Sequence, residues 1–155
     1  MTQPPSIRSR SALQSFLELA KRARRAESAA ELQFMLVNET FNLVPYQLAA
    51  LWTEFDGVAC QSGVSSVDRQ SSFVLWLNGV LKQLSIVSEA SVVQPEMLSD
   101  EQVAEWSEWL PASALWVPVG SVNGGKTGLL LCREDPWSTQ DIALIEEGCG
   151  IWKSA

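Results

Sequence analysis

The sequence predicts an α+β fold built on an antiparallel sheet, and three observations carry that prediction. Extended runs come in pairs joined by tight-turn residues rather than singly between helices. Three helix starts are marked by a serine with a capping partner three residues on: Ser28 with Glu31, Ser99 with Gln102 and Ser138 with Asp141. Third, two apolar runs between Ala114 and Arg133 flank Asn123-Gly124-Gly125-Lys126, where Asn and Gly tolerate the positive φ of a reversal. The second of these runs lacks polar alternation, so both its faces are covered and the hairpin belongs at the sheet centre. Pro118 removes one ladder donor and predicts a bulge or an unpaired position there.

In chain order, residues 1–10 are polar, contain Pro4-Pro5 and are expected to be a disordered tail, with one domain over residues 11–155. Leu13, Phe16, Leu17, Ala20 and Ala23 then form the stripe of a first helix. A second helix runs from Ser28 to near Pro45, with Phe34, Met35 and Val37 widening its apolar face. Tyr46 to Phe55 and Val58 to Val64 read as strands joined at Asp56-Gly57. Phe73, Trp76, Leu77, Val80, Leu81 and Leu84 have helical spacing, with Asn78-Gly79 weakening that helix. Ile86 to Val93 is a weak strand, and the helix from Ser99 turns Val103, Trp106 and Leu110 inward. The last helix carries Ile142, Ile145, Cys149 and Trp152 at heptad-like spacing and reaches Ala155 without a Gly or Asn stop. That ending predicts an N-terminal domain of a longer chain.

The composition excludes several chemistries. With no histidine there is no Ser-His-Asp or Cys-His catalysis, no histidine-ligated haem and no mixed Cys/His zinc site. The net charge of −7 is uneven. Six of the eleven basic residues (Arg8, Arg10, Lys21, Arg22, Arg24, Arg25) fall in the first 27 positions, against Glu18 and Glu27. The acidic remainder argues against nucleic acid. The basic stretch fits the solvated face of one helix, or contact with a membrane surface or an acidic partner. Cys60, Cys132 and Cys149 lie far apart, which suits small core residues of a reduced, cytoplasmic protein rather than disulfides or a metal site. No window spans a bilayer and no signal-peptide core is present, so no membrane insertion is expected of this segment.

This pattern resembles a GAF domain over Leu13 to Ala155. The resemblance rests on the amphipathic N-terminal helices, the hairpin at Gln47 to Gly63, Val117-Pro118-Val119, Gly124 to Leu131 and the helix start at Trp137-Ser138-Thr139-Gln140-Asp141. It implies an antiparallel sheet of about six strands with the terminal helices packed on one face. It also implies a small-molecule pocket on one sheet face and dimerisation through the terminal helices. Glu27-Ser28-Ala29-Ala30-Glu31-Leu32, Val37-Asn38-Glu39-Thr40, Val44-Pro45-Tyr46-Gln47 and Ala50-Leu51-Trp52 are similar to cytosolic N-terminal regions of bacterial HlyD-type membrane-fusion adaptors. That similarity implies a transmembrane helix and a periplasmic adaptor after residue 155.

The sequence departs from the defined ligand classes of GAF domains. It has neither the Cys-His pair for a bilin nor the Asn-Lys…Phe…Asp-Glu set for a cyclic nucleotide. Free methionine sulfoxide reductases keep redox cysteines in pocket loops, whereas Ser65 to Ala112 here contains no cysteine. A non-catalytic regulatory module without cofactor or metal is therefore expected, with a purely structural dimerisation or docking module as the alternative. Trp52, Phe73, Trp76 and Trp116 are the candidate ligand cluster, able to stack a planar or cationic molecule, although a filled core is the favoured reading. Trp106 and Trp109 suggest either a lid or an ordinary half-buried helix. Asn123 to Thr127 lacks phosphate-loop spacing and reads as a turn. Glu134-Asp135 and Glu146-Glu147 read as solvated acids. Any apolar face left over by Leu13, Phe16, Leu17 and Ala20, or by Ile142, Ile145, Cys149 and Trp152, is available to a partner, and a homodimer is expected.

Overall fold

A computed structural model describes residues 29–64, 66–122 and 125–154, together with 13–14, 17–18 and 20–21. The 1–10 tail, the Ser28 cap, the turn residues Asn123 and Gly124 and the side chains of Phe16 and Trp152 lie outside the described residues. Helix α1 (Ala29–Glu39) continues into a 3-10 turn at Thr40–Asn42. Strands β1 (Leu48–Thr53) and β2 (Gly57–Gln61) follow, then helix α2 (Ser72–Leu84) and the two-residue strand β3 (Ser91–Val92). A 3-10 turn at Pro95–Met97 leads to helix α3 (Asp100–Trp109), strands β4 (Ser113–Val122) and β5 (Gly125–Arg133), and helix α4 (Thr139–Ser154).

The five strands form one antiparallel sheet in the order β2-β1-β5-β4-β3. The α+β class is thus as the hairpin pattern predicts, with five strands among the described residues rather than about six. The β4–β5 hairpin does supply the central strand, because Thr127 to Cys132 are buried without a break. Alternation sorts the side chains to two faces. Leu115, Val117, Leu129 and Leu131 join Leu36 and Val37 of α1 and Ile145 and Cys149 of α4 in one core. Ala114, Trp116, Leu130 and Cys132 join Leu77, Val80, Leu81 and Leu84 of α2 in the other, with Leu98 and Trp106 packed at its margin. So α1 and α4 cover one face, while α2 and α3 cover the opposite one.

Several boundaries differ from expectation. The first hairpin is shorter than Tyr46–Phe55 and Val58–Val64, though Gly57 turns it with φ of +72°. A Cβ on Gly57 would lie 2.7 Å from Asn78 Oδ1. That oxygen accepts a 2.8 Å bond from Val58 N–H, so Asn78 satisfies a donor on the edge strand. The Asn78-Gly79 pair therefore leaves α2 unbroken, with Ser71 Oγ capping its start on Val74 N–H. Pro118 produces the expected irregularity: register shifts between Pro118 and Gly120, where Gly120 takes φ of +101°. Ile86 to Val93 yields only β3, since its serines and the following Pro95 give little to bury or pair. Phe34 is 52% exposed, so it does not widen the buried face of α1 as its spacing suggests.

Tyr46 precedes β1 because its side chain ties α1 down. Its hydroxyl donates to the Val37 carbonyl near the end of that helix. Burial pushes the phenol well above its ordinary range, partly opposed by a backbone hydrogen bond from Phe41. Burial also raises the Cys132 and Cys60 thiols. In each case folding favours the protonated form, so this stability is complete below the unfolded value and lost as pH rises past it. Urea denaturation should show stability falling from about pH 8.5, where unfolded thiols ionise, and more steeply above about pH 10. Tyr46→Phe should remove the steeper part and cost about 1 kcal/mol at neutral pH.

Candidate functional site

The aromatic candidates share one side of the sheet. Trp52 on β1 pairs with Gly128 on β5, and Trp116 on β4 pairs with the neighbouring Leu130. Only glycine fits at position 128, because the Trp116 indole lies where its Cβ would stand. Trp116 Nε1 donates to the Val87 carbonyl at 3.4 Å. Trp52 and Trp116 are 5% and 2% exposed and pack among Val74, Leu77 and Leu130. Their side chains fill the core between sheet and α2.

Phe73 and Trp76 do something different. Helical spacing on α2 sends both toward α3, where they meet Trp106 and Trp109. The rings form a row: Trp109 lies 5.5 Å from Phe73, Phe73 stacks 6.5 Å from Trp76, and Trp76 meets Trp106 edge-on at 5.8 Å. Trp106 Nε1 donates to the Pro111 carbonyl at 2.8 Å, which orients its ring. This row fixes α3 against α2, so Trp106 and Trp109 belong to an anchored helix.

On the far side of Trp106 a groove of about 330 Å³ opens between α3 and the start of β4. Its lining includes Val93, Leu98, Val103, Trp106, Ala112 and Ala114. The Ser99–Gln102 capping box is complete, with Gln102 N–H donating to Ser99 Oγ at 3.2 Å and Ser99 N–H to Gln102 Oε1 at 3.0 Å. It starts α3 beside β3, while alanine at 112 and 114 leaves the space across from Trp106 unfilled. Val103, expected to turn inward, is 38% exposed because it faces this opening rather than the core. The sequence signal for the groove is that pair of alternating alanines opposite an apolar helix position.

The remaining candidates are dispersed. Ile145 and Cys149 are buried against the chain's own sheet, and Ile142 is half-buried beside them. Leu13 and Leu17 are 59% and 51% exposed, whereas Ala20 is half-buried. Glu134, Asp135, Glu146 and Glu147 are exposed. An opening of about 350 Å³ touches Glu89, Pro118, Glu146 and Cys149, and another of about 420 Å³ touches Tyr46, Gln47, Arg133 and Glu134. Among the described residues, no three His, Cys, Asp or Glu side chains are grouped to hold a metal ion. The raised Cys132 and Cys60 thiols are poor nucleophiles, since the thiolate is the reactive form.

No model of a known protein family matches the sequence, and no curated protein is found to be similar to it.

Proposed function

We propose that this chain is a non-catalytic regulatory module of GAF-like type that works by taking an apolar group into the groove beside α3. The observation that carries this reading is the groove itself: Val93, Leu98, Val103 and Trp106 present apolar surface around an open space, while Trp52 and Trp116 are consumed by the core. The binding position therefore moves from the expected tryptophan cluster to the outer side of Trp106. A volume near 330 Å³ suits a small molecule as well as a side-chain cluster, so a sensor role is part of this reading. From the similarity at residues 27–52 we place the module on the cytosolic side of a HlyD-type adaptor. No described helix is long and apolar enough to cross a membrane, so in this reading anchoring falls to another segment.

The test is a Nile red titration at protein concentrations low enough to keep the chain monomeric. Uptake of this neutral apolar probe should raise its fluorescence and shift that of Trp106. Ser107→Trp, placed on the groove wall, should weaken uptake at least tenfold, about 1.4 kcal/mol. Absence of uptake, or uptake indifferent to Ser107→Trp, rejects the reading.

A further inference from the structure

The segment that builds the groove is uniformly acidic. Between Lys82 and Lys126 the chain carries Glu89, Glu96, Asp100, Glu101, Glu105 and Glu108 and no basic residue. Glu96, Asp100, Glu101, Glu105 and Glu108 are exposed, and they lie on α3 and on the turn that leads into it. An apolar groove in such a setting selects a partner that is apolar on one side and basic on the other. The chain itself carries one. Leu13 and Leu17 stand one helical turn apart, on helical backbone, and are 59% and 51% exposed. Around them the sequence places Arg8, Arg10, Lys21, Arg22, Arg24 and Arg25.

We propose that the groove beside α3 receives the basic amphipathic segment, residues 7–25, of a second copy of this chain. The inference rests on the groove being a binding site and names its occupant. Helix α1 packs over β1 and β2, toward one edge of the sheet, whereas the groove lies by β3 and β4 on the opposite face. A second copy brings its segment to that face without crossing the sheet edge, and two copies exchanging segments form a closed, isologous dimer.

Complementation tests this. Leu13→Asp/Leu17→Asp spoils the segment and leaves the groove, while Ser107→Trp spoils the groove and leaves the segment. Val103→Arg is a second groove variant should Ser107→Trp misfold, with circular dichroism as the fold control. In sedimentation equilibrium the parent should dimerise, more weakly as salt rises. Each variant alone should associate at least tenfold more weakly, and an equimolar mixture should recover dimer through its one intact segment–groove pair. A monomeric parent, or a mixture that stays monomeric, overturns the exchange. Nile red on Leu13→Asp/Leu17→Asp then separates the two ideas. Uptake lost with Ser107→Trp discards the segment and keeps the groove as a site; no uptake discards both.

Discussion

Gly128→Ala is expected to destabilise the chain by about 2–3 kcal/mol, and Gly128→Val by more. Backbone strain is not the cause, since Gly128 is absent from the positive-φ glycines. The cause is that the Trp116 indole occupies the volume above Gly128, well inside van der Waals contact of any Cβ placed there. A surface tryptophan would swing away. Trp116 is 2% exposed, tied to the Val87 carbonyl, and hemmed in by the α2 side of the core. Interiors packed to crystal density have no spare volume for a displaced indole. Trp116→Leu alone should cost about 2–4 kcal/mol through the cavity it leaves. In the double variant the added methyl enters that cavity, so the combined loss should fall short of the sum by about 1–2 kcal/mol. Urea denaturation followed by circular dichroism measures all three. A Gly128→Ala chain as stable as its parent would show that the two residues do not share this space.

Arg133→Ala should cost about 2–4 kcal/mol, with Arg133→Lys recovering less than half of it. Arg133 closes β5, and its guanidinium organises the whole passage into α4. Nη2 donates to the Pro136 carbonyl at 2.7 Å and to Asp141 Oδ2 at 2.8 Å, while Nε donates to the Asp135 carbonyl at 3.1 Å. The same group lies 4.0 Å over the Trp137 ring. Its side chain is only 14% exposed, so these bonds are less screened than those of a surface pair. Asp141 sits in the first turn of α4, where a carboxylate also meets the positive end of the helix. A lysine supplies the charge but not a planar fork for three acceptors and a ring. Full rescue by Arg133→Lys would reduce the role of Arg133 to simple charge pairing.

The same cluster shows how a local pattern is rerouted by tertiary contacts. Ser138 and Asp141 read as a reciprocal capping box, and half of it forms: Asp141 N–H donates to Ser138 Oγ at 3.1 Å. The Asp141 carboxylate binds Arg133 instead of turning back on the helix start. Nothing in the spacing announces that partner, which comes from another element. Trp137 likewise looks like a flanking aromatic, yet it is 8% exposed beneath Arg133 and within the core of α1 and α4.

Periodicity and turn chemistry determined the antiparallel α+β class, the central place of the β4–β5 hairpin, the irregularity at Pro118 and the cap at Ser99. Each is a local property: an unalternated apolar run demands cover on both faces, proline lacks a donor, and serine hydroxyls bond the next turn. Only the tertiary structure decided that β3 would shrink to two residues, that Phe34 would face outward and that Asn78 would satisfy a strand edge. It also divided the tryptophans between a filled core at Trp52 and Trp116 and an aromatic row at Trp76, Trp106 and Trp109. The groove is of the second kind. Its walls come from β3, α3 and β4, and an opening between elements depends on how far apart packing holds them, a distance that no stretch of sequence carries alone.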